Sequence, residues 1–280
     1  MPMTEGPAGP VHWSDLGTGE PVVLLHGLGG DVSFWDAEQR ALSDAFRVLA
    51  IDLRGSGRTQ ASAVGASMDD LADDVAAVLS DQGIDSAHIV GFSMGGLVAQ
   101  AFAARHPHAT DRLVLAATYP TINAQSRLFL DAVLDVYSKG ATPRQMFNLI
   151  CPWLFSIDFL SRPANSVYLQ YPEDDPFEQT LDEWRALYLA QRSFHTDALP
   201  VITAPTLVLA GSEDRLVSTR DAEQLASAIP GARTRTLPGG HLFNIESHEG
   251  FLDAVRGHLT RDAVRTPGSR SPHVRPDPAR

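Results

Sequence analysis

Cysteine is nearly missing from this 280-residue chain, where Cys151 stands alone. A single thiol excludes an intrachain disulfide and a cysteine-based zinc site, and it suits a reducing compartment. Basic residues are scarce as well: 22 Lys and Arg against 34 Asp and Glu leave a formal charge of -12. That balance argues against a nucleic-acid partner, because phosphate recognition needs concentrated positive charge. Long apolar runs are absent too. No stretch approaches the roughly 18 apolar residues of a membrane span, and Met1 to Pro10 has neither the basic segment nor the apolar run of a secretion signal. The expected location is therefore cytoplasmic, with no membrane partner. There is no Gly-x4-Gly-Lys-Ser/Thr loop and no His-Glu-x-x-His helix, and Gly55 and Gly57 do not complete a dinucleotide fingerprint. His106 and His108 flank a proline at a helix end and read as solvated rather than metal-bound. Neither a metal nor a cofactor is expected.

What the chain does have is a repeated alternation. A hydrophobic fraction of 44% marks a globular protein, large enough for one big α/β domain or two small ones. After a Gly/Pro-rich start, Val11 to Leu16 reads as an edge strand. Pro21-Val-Val-Leu-Leu25, Val48-Leu-Ala-Ile51, Ala87 to Phe92, Arg112 to Ala117, Pro205 to Ala210 and Ala232 to Leu237 are short runs bounded by turn residues. Most are continuously apolar, which suits strands buried on both faces. Between them lie amphipathic segments. Ser67 opens one, with Leu71, Val75, Val78 and Leu79 on a single face; Asp221 to Ile229 is another, and Glu246 to Leu259 forms a last helix. The pattern predicts a mostly parallel, doubly wound sheet.

The rhythm breaks between about Thr121 and Leu199. No apolar strand appears there, and Thr142-Pro143 and Asp175-Pro176 look like helix starts, the second leading into a stripe of Phe177, Leu181, Trp184 and Tyr188. The expected organisation is a core over residues 1–120 and 200–260, a helical cap over 121–199, and a disordered tail over 261–280, rich in Arg, Pro and Ser. Most of the cap's aromatics would build its own small core, with Phe147, Trp153 and Trp184 the candidates for touching a substrate.

Chemistry gathers at the strand ends, where open parallel sheets place their reactive crevice. Gly91-Phe-Ser-Met-Gly95 falls between a strand and an alanine-rich helix, a tight turn that holds the Ser93 hydroxyl clear of the sheet. Asp214 and His241 follow two later strands, in the chain order Ser, Asp, His. A serine hydroxyl needs a base to take its proton, and a carboxylate behind that base fixes the imidazole. Ser93 is thus the candidate nucleophile, His241 the base and then acid, and Asp214 its orienter, preferred over the adjacent Glu213, which must point away. The backbone N–H groups of Met94 and Leu28 are the candidate oxyanion donors. His26 is expected to anchor its loop, and the Asp52 and Arg54 pair to tie down its own, with a substrate role left open by its position near the crevice.

His26-Gly-Leu-Gly-Gly30, Asp52-Leu-Arg-Gly-Ser-Gly57, Gly91 to Gly95, the Asp214 turn and Gly240-His241 together resemble the α/β-hydrolase fold family, from about Val11 to Leu259. The resemblance is nearest to small lactonase, esterase and amidase-like enzymes similar to 3-oxoadipate enol-lactonase and aminoacrylate hydrolase. It implies a cofactor-free hydrolase of an ester or lactone of a small to medium, partly apolar molecule. Amide or carbon–carbon bond hydrolysis by the same residues stays open, as do a ligand-binding role and cofactor-less oxygenation on this fold. A monomer and a homo-oligomer are equally compatible with the sequence.

Overall fold

The computed structural model describes residues 2–173 and 177–260. Its strands are β1 (Met3–Gly6), β2 (Gly9–Leu16), β3 (Glu20–Leu25), β4 (Phe46–Ile51), β5 (Ala87–Phe92), β6 (Thr110–Ala116), β7 (Thr206–Gly211) and β8 (Arg233–Leu237). They form one sheet in the order β1-β2-β4-β3-β5-β6-β7-β8. The pairs β1–β2 and β2–β4 are antiparallel, and every pair from β4 onward is parallel.

The helices are α1 (Asp36–Leu42), α2 (Met68–Asp81), α3 (Met94–Arg105), α4 (Ala124–Ser138), α5 (Pro143–Leu154), α6 (Ile157–Leu160), α7 (Leu181–Ser193), α8 (Thr219–Ala228), α9 (Phe243–Glu246) and α10 (His248–Leu259). α2, α3 and α8 pack Val75, Leu97, Phe102 and Leu225 onto one face of the sheet. α1 and α10 bring Leu42, Phe251 and Val255 to the other. Burial on both faces explains why the central strands are apolar at every position. Ser67 caps α2 through a reciprocal pair with Asp70, satisfying amides that the first turn leaves open.

Two expectations shift. β2 is not the edge, because β1 lies outside it; that short, polar strand is held by Thr4, whose hydroxyl donates to Asp81 and accepts from the Trp13 indole. The last helical stretch is broken at Ser247, whose hydroxyl donates to the Pro238 carbonyl, giving α9 and α10. The Asp175-Pro176 helix start lies outside the described residues; α7 begins at Leu181 on a Thr180 cap. Phe177 precedes that helix and lies under the Arg58 guanidinium, 4.3 Å from its ring centre.

Between β6 and β7 lie the helices α4 to α7, called the cap below, with no strand among the described residues of that stretch. Glu183 of α7 ties this cap to the core, its carboxylate accepting from the Ser62 hydroxyl at 2.7 Å and the Ala63 N–H at 2.8 Å. Gln179 adds bonds to the Gly55 carbonyl and the Ser56 hydroxyl. The predicted tail, 261–280, lies outside the described residues. Among those described, no helix is long and apolar enough to cross a membrane.

Candidate active site

Ser93 sits where β5 gives way to α3, with φ 53° and ψ -118°. A positive φ at a residue with a side chain carries about 1–3 kcal/mol of strain and persists only where the surroundings enforce it. Here the Ser93 N–H donates to the Ala116 carbonyl at 2.8 Å, and its own carbonyl accepts from Gly96 at 2.9 Å. The flanking glycines are required by proximity rather than by φ. A Cβ on Gly91 would stand 2.7 Å from that of Ala99, and one on Gly95 would run into the Leu25 and His26 carbonyls. Without both, α3 could not start so close to β3 and β5.

The hydroxyl produced by this turn meets the imidazole of His241, Oγ to Nε2 at 3.0 Å. On the far side of the ring, Nδ1 lies 2.8 Å from Asp214 Oδ2. Asp214 Oδ1 accepts from the Leu216 and Val217 N–H groups at 2.8 and 2.9 Å, and the Asp214 side chain is wholly buried. A carboxylate only accepts, so Nδ1 carries the proton and Nε2 is free to receive one from Ser93. Glu213 is exposed and its backbone N–H bonds Gly239, so it takes no part in this chain. Phe92 packs edge-on against the His241 ring.

Glu246, which the sequence did not single out, steadies the histidine loop. Its carboxylate accepts from the Gly240 N–H at 2.9 Å and from both the N–H and hydroxyl of Ser156 in the cap. Its only sequence signal is an acid five residues after His241.

Leu28, in the loop after β3, lines the same cavity as Ser93, and Met94 begins α3. Among the described residues neither amide has an acceptor of its own. His26 anchors that loop: its Nε2 accepts from the Leu53 N–H, so its Nδ1 donates to the Gly27 carbonyl. Burial pushes the His26 pKa below the ordinary imidazole value, keeping the ring neutral. Asp52 and Arg54 do not pair with each other. Asp52 binds His12 and the N–H groups of Val32 and Arg58, while Arg54 binds Asp74 on α2. Burial works against the Asp52 carboxylate, but these donors outweigh it and hold its pKa below the usual range.

A cavity of about 200 Å³ lies between Ser93 and the cap. Its walls are mostly apolar, with Phe34, Leu130, Ile150 and Leu154 prominent, and no Lys or Arg lines it among the described residues. Of the three aromatic candidates, Trp184 lines it. Phe147 packs instead against Tyr171, and Trp153 stacks on Phe129 with ring centres 4.2 Å apart. No group of three or more potential metal ligands occurs among the described residues.

A family model described as alpha/beta hydrolase fold matches residues 20–248. Among curated proteins, the chain is similar to a putative carbamate hydrolase, RutD, of Variovorax paradoxus, 33% identical over 270 residues that cover 92% of this chain and 98% of that one. It is also similar to the protein of that name in Yersinia enterocolitica, 31% identical over 246 residues, 86% and 87% of the two chains. Among solved structures, the enol-lactonase of Burkholderia xenovorans superposes with a TM-score of 0.84 at 28% identity, covering 93% of this chain and all of that one. A thermophilic esterase of Thermogutta terrifontis does so at 0.79 and 28%, covering 91% and 96%.

Proposed function

The chain belongs to the α/β-hydrolase fold family, and from that premise we propose that it is a cofactor-free serine hydrolase cleaving a carboxylic ester or lactone of a small, largely apolar molecule. The observation that carries this reading is the unbroken series from Ser93 Oγ through His241 to Asp214, opening onto an apolar cavity. In this mechanism Ser93 Oγ attacks the carbonyl carbon while His241 Nε2 takes its proton. The Leu28 and Met94 N–H groups receive the tetrahedral oxyanion, an interaction whose loss typically costs about 3 kcal/mol in the transition state. Collapse expels the alkoxide, which leaves with the proton from His241, and an acyl group remains on Ser93. Water then gives a proton to His241 and its oxygen to the acyl carbon; the bond from that carbon to Ser93 Oγ breaks, His241 returns the proton to Oγ, and the acid is released.

A second reading, cleavage of a carbon–nitrogen acyl bond, is supported by the carbamate hydrolase names of the similar curated proteins. It uses the same residues, with His241 protonating a leaving nitrogen.

The deciding experiment pairs Ser93→Ala with a panel of chromogenic short-chain esters, lactones and carbamates. Turnover should fall by about four to six orders of magnitude, and a fluorophosphonate probe should label the unaltered protein but not the variant. A Ser93→Ala protein that keeps its rate overturns the reading.

A further inference from the structure

Beyond Ser93, His241 and Trp184, three residues with polar side chains line the cavity among those described: Tyr119, Ser126 and Gln191. Ser126 spends its hydroxyl proton on the Leu216 carbonyl. The other two form a pair whose bonding is incomplete. Gln191 Nε2 donates to the Tyr119 hydroxyl oxygen, while Gln191 Oε1, on a residue only 4% exposed, has no partner among the described residues. Having accepted that bond, Tyr119 still holds a proton that no described residue receives. Exchanging the oxygen and nitrogen of the carboxamide gives the Tyr119 proton a receiver in Oε1 but leaves the NH2 without an acceptor in its place, so one end of the Gln191 amide goes unmet in either arrangement.

Buried polar atoms are nearly always satisfied, so a pair left short of partners at a cavity wall marks a place for a group the protein does not itself supply. Gln191 lies seven residues beyond Trp184 on α7, two turns along one face and about 10 Å along the axis. The helix therefore presents an aromatic plate and a polar pair to the same cavity. With no Lys or Arg in the lining among the described residues, a carboxylate placed here would be buried without a Lys or Arg counter-charge. An alkyl tip would leave the pair unsatisfied.

We propose that Tyr119 and Gln191 form a specificity-determining subsite for a neutral group that both donates and accepts a hydrogen bond, such as a carboxamide or hydroxyl of the substrate. The identification of that ligand as a substrate rests on the hydrolase reading, whereas the binding itself does not.

The test is therefore equilibrium binding to the Ser93→Ala protein, with hexanamide, its isostere 2-heptanone, and hexanoate as probes, followed by calorimetry or by Trp184 fluorescence. Hexanamide should bind about tenfold or more tightly than either of the others. Tyr119→Phe and Gln191→Met, each added to Ser93→Ala, should bring the amide-to-ketone ratio close to one. A merely structural pair would weaken both ligands alike and leave their ratio standing. The inference is overturned if 2-heptanone binds the Ser93→Ala protein as well as hexanamide does, or if both further variants keep the ratio. Failure of the hydrolase reading registers separately, as unaltered protein that neither turns over the ester panel nor takes the fluorophosphonate label.

Discussion

Asp214 holds His241 with one oxygen and the protein backbone with the other: Oδ2 is 2.8 Å from the imidazole Nδ1, while Oδ1 receives the Leu216 and Val217 N–H groups. The two backbone donors decide which way any amide placed there must face. In Asp214→Asn the carbonyl oxygen stays with Leu216 and Val217, so the NH2 is turned onto His241 Nδ1. That nitrogen must then accept, which moves the ring proton to Nε2, facing Ser93. Under the proposed mechanism the base is lost although nothing moves. The kcat toward a chromogenic ester should drop by about 10³–10⁴ with far-UV circular dichroism unchanged. An Asn variant within tenfold of the original rate would contradict this geometry.

The close approach of α3 to β3 yields a second prediction, with an internal control. In Gly95→Ala the new methyl group would sit 2.6 Å from the Leu25 carbonyl carbon, and backbone cannot swing aside as a side chain can. A loss of about 3 kcal/mol or more is expected, read as a lower urea midpoint. Gly257, exposed in α10 with open space around it, has no such constraint. Gly257→Ala should raise stability by about 0.5–1 kcal/mol through helix propensity alone.

These two glycines also show what a sequence reveals. Gly91, Gly95, Gly239 and Gly240 are needed where backbone passes backbone or takes a positive φ, so the turns presenting Ser93 and His241 leave local marks. The central strands are legible for a similar reason, since burial on both faces forces an unbroken apolar run. The cavity wall leaves no such trace. Whether Ile150 or Phe147 of α5 reaches it depends on how the cap seats on the core, and that is set by contacts such as Glu183 with Ser62, 121 positions apart. Gln191 carries no signal at all until Tyr119 is seen beside it.

Glu183 supplies a third prediction. Its carboxylate and the Gln179 amide are bonds by which the start of α7 holds the loop after β4. Glu183→Ala removes the acceptor from the Ala63 N–H and the Ser62 hydroxyl together. Amide hydrogen exchange should accelerate in α7 and around Ala63, with α2 and α3 unchanged, because cap and core are then joined more weakly there. Exchange by mass spectrometry checks this; uniform protection across α7 in the variant would show that the latch does not hold the cap.

The last prediction concerns acid. Burial lowers the pKa of His26, His88 and His258 below the ordinary imidazole value of about 6.5. In the unfolded chain each returns to that value, so below pH 6.5 the unfolded state binds protons that the folded state refuses. Their contribution is fully present above about pH 6.5 and is lost as the pH falls from there toward the folded values. Each group adds at most about 1.4 kcal/mol per pH unit to the slope. Glu38 and Asp74, whose pKa values burial raises, act in the opposite sense, and Asp52 and Asp70, whose pKa values hydrogen bonds lower, act in the same sense as the histidines. His88 isolates one contribution. It is 1% exposed, with Asp111 and Glu20 oxygens 3.3 and 3.5 Å from its ring nitrogens, and it has no place in the proposed reaction. The urea midpoint of His88→Leu should therefore fall less between pH 7.5 and 5.5 than that of the unaltered protein. Parallel curves for the two proteins would mean that His88 titrates alike in both states.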